Sequence, residues 1–297
     1  MNKKKPKVSI IVNCHNGEKF LKDAIKSILF QSFKNWEVIF WDNMSDDKSK
    51  KIFQAFKDSR LRYFYSKTKT PLYRARNLAI QKARGKFIAF LDTDDIWIKN
   101  KLQTQINYFQ DGNVGLVYSN FWLLKNKTKK IKLFKNFLTN KNSVNKSMLV
   151  DYEIGILTVM IRKKTLLLMN KIFEEKFSHI GDMDLMWRIT KICKFKSIQK
   201  PLAYYRIHEN NLSNINRDKE IAELKVWVNK NKKKLSVDEL NATYSKVANK
   251  VFLSSKLQSR YFMCLNIVFN SKYFNLDIKN LIILITPNLI LKKLVWF

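Results

Sequence analysis

Asp92, Asp94 and Asp95 place three carboxylates within four positions, directly after the apolar run Phe87–Leu91. Like charges this close repel one another unless a cation compensates them. A hard divalent ion, Mg2+ or Mn2+, prefers oxygen ligands, takes one or two carboxylates from a protein and fills its shell with water and substrate phosphates. The same acids have a plainer use, since Asp94 or Asp95 at the start of a helix near Ile96 would favour its macrodipole. Three more polar groups stand out: NCHNG at Asn13–Gly17, DNMSDD at Asp42–Asp47, and Asp182 with Asp184 in HIGDMDLMWRI. Asp182 has the chemistry of a general base and, equally, of an N-terminal cap. Arg206 and His208 lie two apart in PLAYYRIHENNLS, so on an extended strand they face the same side. There they reach a diphosphate, or form an ordinary surface pair.

The elements that position these residues follow from hydrophobic period. Phe87–Leu91 is an uninterrupted apolar run, the mark of a strand covered on both faces; Val8–Val12 reads as a further buried strand, and Glu37–Trp41 and Leu61–Tyr65 as a second and a third strand. Between them, Phe20, Leu21, Ala24, Ile25, Ile28 and Leu29 recur at helical spacing, and further helices are predicted over Ser49–Phe56 and Leu72–Ala83, the latter closed by Gly85. Alternation of strand and helix implies right-handed crossovers and a mostly parallel sheet. Ligands of such sheets sit outside the carboxyl ends of the strands. Asn13–Asn16, Asp42–Ser45 and Asp92–Asp94 all fall at such ends, which gathers them into one cleft. No GxGxxG follows the first strand and no GxxxxGK[ST] occurs, so phosphates must be held by metal and side chains. Beyond the fourth strand, Val114–Leu124 and Gly155–Ile161 read as strands, Lys125–Lys146 as loop or hairpin, and Lys164–Asn170 as the start of a helix. From Asn216 the pattern is helical and Lys-rich: Ile221, Leu224 and Val228 share a face, and Ser236–Glu239 matches a capping box.

The 297 residues suffice for one large α/β domain and an accessory region. Lys and Arg number 57 against 24 Asp and Glu, a formal net charge of +33 that calls for an anionic partner, whether diphosphate, anionic lipid or nucleic acid, or else reflects a genome-wide lean toward Lys, Asn, Ile and Phe with no function attached. A nucleic-acid-binding protein fits the charge but lacks a basic-aromatic strand motif, and its acids gather where a polyanion would lie. A metal-dependent nucleotidyltransferase on a related sheet is a further alternative. Cys14, Cys193 and Cys264 are widely separated and show no zinc spacing, which fits a reduced, cytoplasmic setting. The start of the chain has no signal-peptide pattern. The apolar stretch Leu281–Leu291 is interrupted by Thr286, Pro287 and Asn288 and is too short to span a bilayer. With Lys292, Lys293, Trp296 and Phe297, the segment Asn280–Phe297 reads as a membrane-surface or subunit contact.

With these residues laid out, the chain resembles the family 2 inverting glycosyltransferases of the GT-A fold over roughly residues 6 to 213. VSIIVNCHNGEKFL is similar to that family's VSIIVPxYNxxxxL, EVIFWDNMSDD to its DDGSxD loop, LYRARNLAIQKARGKFIAFLDTDD to its ARNxG…GxxIxFLDxDD block, GDMDLMWRI to its ED segment and PLAYYRIHENNLS to its PLxxYRxHxxSxS segment. The resemblance implies an α/β catalytic domain over residues 1–215 with a helical appendage over 216–297. It implies a nucleoside-diphosphate sugar donor, commonly UDP-linked, a glycan or lipid-linked acceptor of bacterial surface-glycan synthesis, Mg2+ or Mn2+, and no nucleic acid. Asp182 would take the acceptor proton. Asp42 would recognise the base, with Asn13, Asn16, Asn43, Arg76, Asp92 and Arg206 as further donor contacts. Asp92, Asp94 and His208 would surround the metal, at the inner face of the cytoplasmic membrane. The departures are Asn13 for Pro, His15 for Tyr, Asn43 for a second Asp, Met44 for Gly and Gly181 for the Glu of ED.

Overall fold

The computed structural model describes residues 5–136, 138, 149, 152–211 and 217–254. In chain order the strands are β1 (Val8–Cys14), β2 (Trp36–Asp42), β3 (Leu61–Tyr65), β4 (Phe87–Phe90), β5 (Ile96–Trp97), β6 (Val114–Lys125), β7 (Ile131–Leu133), β8 (Met160–Arg162) and β9 (Lys194–Ile207). The helices are α1 (Glu18–Leu29), α2 (Ser49–Gln54), α3 (Leu72–Gln81), α4 (Lys101–Asn107), α5 (Lys163–Leu167), α6 (Gly181–Thr190), α7 (Arg217–Asn231) and α8 (Val237–Ser254). They fall into two compact units, one drawn from Met1–Val144 and Glu153–Asn211, the other from Asn145–Tyr152 and Leu212–Phe297.

The first unit is built on a sheet of order β3-β2-β1-β4-β8-β6-β9-β5, with β7 on β6. Its first four strands are parallel. Every residue of β1, β2 and β4 is buried, as their apolar runs require. Alternate residues serve different layers: Val8, Ile10, Val12, Val38 and Phe40 join Leu21, Ala24, Ile25 and Ile28 of α1 in one core. The opposite face carries Ser9 and Glu37, and α3 lies along β1 and β2. There the Glu37 carboxylate accepts hydrogen bonds from Ser9 Oγ (2.7 Å), Arg84 N (2.7 Å), Arg62 Nη1 (2.8 Å) and Arg84 Nε (3.0 Å), fastening three strands and the turn before β4.

Beyond β4 the sheet turns mixed: β8 runs antiparallel to β4 and β6, β5 antiparallel to β9, and β6 parallel to β9. Three local expectations change. Gly155–Ile161 is not one strand, because Thr158 Oγ1 (2.7 Å) and N (2.9 Å) both donate back to Gly155 O and close a turn before β8. Residue 96 opens no helix: Ile96–Trp97 pairs with Ala203 and Tyr204, and the next helix starts at Lys101. Gly85 is not a left-handed helix cap, since no glycine has positive φ and α3 ends at Lys82 in right-handed geometry. A Cβ at Gly85 would stand 2.6 Å from Ser9 N, so the residue is glycine because the chain passes hard against β1. The start of Lys125–Lys146 is a β6/β7 hairpin through Leu133.

In the second unit, Ile221, Leu224 and Val228 of α7 are buried together with Trp227. Ser236 and Glu239 exchange backbone and side-chain bonds (Ser236 N to Glu239 Oε2 2.9 Å, Glu239 N to Ser236 Oγ 3.2 Å), a capping box at the start of α8. Among the described residues no helix is long and apolar enough to cross a membrane. The segment Asn280–Phe297 and Cys264 lie outside the described residues.

Candidate active site

The parallel strands end together, and their loops are stitched to one another. Glu18 N donates to Asp47 Oδ2 (2.9 Å), Lys48 N to Glu18 Oε2 (2.9 Å), and Gly17 N to Ser49 Oγ (2.9 Å). Asn16, at φ 56°, accepts Asp46 N (3.0 Å) on its side-chain oxygen. A Cβ at Gly17 would meet Thr93 Oγ1 at 2.9 Å and Cys14 Sγ at 3.0 Å, so only glycine lets the loop after β1 pass over the loop after β4.

Asp42, 1% exposed, pairs across the sheet with Cys14 and Tyr65. Its carboxylate accepts Ser45 N (2.8 Å) and Tyr63 Oη (2.6 Å), which leaves lone pairs for a third donor. Asn43 spends both ends of its amide on Thr70: Nδ2 donates to Thr70 O (2.8 Å) and Oδ1 accepts Thr70 N (3.1 Å) and Oγ1 (2.9 Å). Met44, where the resembled motif has glycine, sits at φ 64°, in the left-handed region that glycine occupies without strain. Asn13 is 9% exposed, and its Nδ2 has no hydrogen-bond partner among the described residues, nor does Nε1 of its cross-strand neighbour Trp41.

The loop after β4 divides its acids among different partners. Asp92 meets Arg76 Nη2 with both oxygens (2.8 and 3.0 Å), and the guanidinium is 4% exposed. Asp94 Oδ2 lies 2.9 Å from His208 Nε2. Burial, and then the charge of Asp92, raise the Asp94 carboxyl above its ordinary pKa. Asp95 is buried and accepts Arg206 N (3.0 Å); burial and its two neighbouring acids hold its pKa well above the usual range. Arg206 donates from Nε to Asp94 O (2.9 Å) and from Nη2 to Asp23 Oδ2 (3.1 Å). Phe20 of α1 lies against both residues, 4.6 Å from the Arg206 guanidinium and 5.1 Å from the His208 ring, so the two share one side as their spacing predicts.

Asp182 is the second residue of α6 and not its cap, which is Ile180. Its Oδ1 accepts Met183 N (2.8 Å), and Tyr73 Oη stands 3.4 Å away. Burial raises its pKa, opposed chiefly by the positive charge of Arg76. Asp184 is committed to Arg188 (2.7 Å). Arg76 therefore acts on both Asp92 and Asp182 and links the end of β4 to the start of α6.

A divalent cation fits part of the expected ligand set. Among the described residues no three His, Cys, Asp or Glu side chains close into a ready-made metal cluster, because both oxygens of Asp92 face Arg76. Asp94 and His208 still present an oxygen and a nitrogen donor side by side, beside acids whose mutual repulsion a cation would relieve. An ion that draws its remaining ligands from phosphate and water needs no more. Sequence reasoning missed Tyr63, Tyr73, Phe20 and Asp23 as site residues, and had Asp95 without its partner Arg206. None of the four missed residues carried a local signal, whereas Asp95 stood in the triplet.

A family model for glycosyl transferase family 2 matches residues 9–184. The chain is 32% identical over 216 residues, 72% of its own length and 82% of the relative's, to the Escherichia coli UDP-Glc:alpha-D-GlcNAc-diphosphoundecaprenol beta-1,3-glucosyltransferase WfgD. Its structure is similar to that of S. aureus TarS 1–349 in complex with UDP-GlcNAc, with a TM-score of 0.63 at 17% identity over 89% of this chain and 80% of that one. It is also similar to the mannosyltransferase PcManGT from Pyrobaculum calidifontis in complex with GDP-Man and Mn2+, with a TM-score of 0.60 at 13% identity over 91% and 82%. The α/β sheet with its acids at the parallel strand ends is thus the GT-A fold, and the chain belongs to glycosyl transferase family 2.

Proposed function

We propose that the protein transfers a sugar from a UDP-linked donor to an acceptor hydroxyl with inversion, in the synthesis of a bacterial polysaccharide or glycoconjugate. The observation that supports this reading is Arg76, whose buried guanidinium grips Asp92 and whose charge bears on Asp182. Asp42 offers its remaining lone pairs to an N–H of the base, and Asn13 offers an unspent amide donor close by. Asn16 and Asn43 act at one remove, by ordering the loops around them. Arg206 brings positive charge to the diphosphate corner. Asp94 and His208 would hold Mg2+ or Mn2+, which when bound neutralises charge developing on the departing diphosphate. Asp182 takes the proton of the attacking hydroxyl; burial strengthens it as a base, and Arg76 keeps it ionised.

WfgD is named for the use of UDP-Glc and a lipid-diphosphate-linked acceptor, and we infer a substrate pair of this class, with residues 1–215 catalytic and the basic 216–297 segment meeting an anionic membrane at the cytoplasmic face. The test is UDP release from a panel of UDP-sugars with Mn2+ and a GlcNAc-diphospholipid acceptor. Turnover with one donor, falling about 10²–10⁴-fold in Asp182→Asn with donor binding retained, is the expected result. Undiminished turnover in Asp182→Asn would remove Asp182 from the chemistry.

A further inference from the structure

The departure at Gly181 has a structural counterpart across the site. A Cβ built on Gly181 would lie 2.5 Å from Tyr73 Cε2, 2.6 Å from Cδ2 and 2.7 Å from Cζ. The Tyr73 ring therefore fills the volume that any side chain at position 181 would need. It is 3% exposed and stacked on Phe173 (5.2 Å between centroids, 21° between planes), and Phe173 is tied to the same helix by Asn77, whose amide exchanges two 3.0 Å bonds with the Phe173 backbone. The ring is thus fixed by packing that phenylalanine would satisfy as well. The hydroxyl approaches Asp182 Oδ1 at 3.4 Å. On the same helix, one turn on, the Arg76 guanidinium sits 5.5 Å from the Tyr73 ring centre.

We propose that Tyr73 is the positioning residue for Asp182: with no side chain at 181, its ring butts against the start of α6 and its O–H orients the carboxylate toward the acceptor. The assignment rests on Asp182 as the base. Two consequences separate it from a purely structural role. A hydroxyl donating to the carboxylate favours the ionised form, so its loss moves Asp182 upward in pKa while fold and donor affinity stay as they are. The charged groups involved are few: Arg76 bears on Asp182 from α3, and Asp184 on the same helix is engaged by Arg188. In this role the Tyr73 hydroxyl acts through Asp182, so the catalytic effect of removing it disappears once Asp182 is neutral.

The experiment compares wild type, Tyr73→Phe, Asp182→Asn and the double variant, all full length. The Asp182 carboxyl is followed by carbon-13 aspartate NMR, its signal assigned by its loss in Asp182→Asn, and transfer is followed with the donor identified by the panel. Expected for Tyr73→Phe are an Asp182 titration displaced to higher pH, a roughly two- to ten-fold lower kcat with unchanged donor KM, and no further loss in the double variant. An unmoved titration, or an equal loss in the Asp182→Asn background, would overturn the positioning role. Wild-type turnover in Asp182→Asn would instead strike down the base assignment itself, and the two failures are thereby told apart.

Discussion

Replacing Glu37 by glutamine keeps shape and hydrogen-bonding capacity on one side of the group and removes the charge on which two guanidiniums converge. The carboxylate is 3% exposed; Oε1 accepts Ser9 Oγ and Arg84 N, while Oε2 faces Arg62 Nη1 (2.8 Å) and Arg84 Nε (3.0 Å). Glutamine can leave its oxygen toward Ser9 and the Arg84 backbone, but its NH2 then confronts two N–H donors. Breaking a buried ion pair costs about 3–5 kcal/mol. The lower figure applies because Arg62 and Arg84 are 27% and 56% exposed and recover some hydration. About 3 kcal/mol in a unit of this size lowers Tm by about 6–12 °C. The sign with pH is also fixed. Burial pushes the Glu37 carboxyl up, but its bonds from Ser9, Arg84 and Arg62 outweigh that and hold it below the ordinary 4.5. Its stabilisation is therefore complete above that value and is lost as pH falls through the lower, folded one. Thermal melts followed by circular dichroism should show the full Tm gap at pH 7 and a shrinking gap as pH drops below the ordinary carboxylate range. Equal Tm at pH 7, or a gap undiminished in acid, would refute this account of Glu37.

Arg76→Met should cost about 3 kcal/mol, the low end for a broken buried pair since Asp92 is 33% exposed, and Arg76→Lys should keep the charge but lose the planar guanidinium packed by Tyr73 and Phe173, with donor affinity falling in calorimetry. His208→Ala should weaken Mn2+-dependent UDP binding by at least roughly ten-fold while leaving Tm unchanged; equal Mn2+ affinity would take His208 out of the metal's surroundings. Because burial raises Asp182, the acid limb of a kcat/KM profile should fall at higher pH than an ordinary aspartate gives, activity being lost as pH drops through it. A profile flat to pH 4 would contradict that.

In the parallel half β1, β2 and β4 were legible because strands buried on both faces are nearly all apolar, and because each ends in acid or amide: Asn13, Asp42, Asp92. In the mixed half β6 was legible too, but β5 and β8 were not. β8 has three residues and β5 has two, too few to show a period, and they are strands only because β4 and β9 lie beside them. Spacing put Arg206 and His208 on one side, and both do meet Phe20, yet Asp23 and Asp95 as partners of Arg206 depend on pairings no local pattern encodes. The acid triplet read as a shared ligand set, whereas the fold sends Asp92 to Arg76, Asp94 to His208 and Asp95 to the Arg206 backbone. Gly181 was visible as a departure, but the ring that fills its place comes from 108 positions earlier in the chain.

The bond from Arg206 to Asp23 spans 183 positions. A ribosome delivers the chain from one end, so the parallel strands can assemble while Arg206 and His208, which complete the corner around Asp23 and Asp94, are still unmade. The corner is then the last part of the unit to close, at the entropic cost of a very long loop. A polypeptide interrupted shortly before β9 would keep Asp42 on a half-built sheet and leave Asp94 without its imidazole.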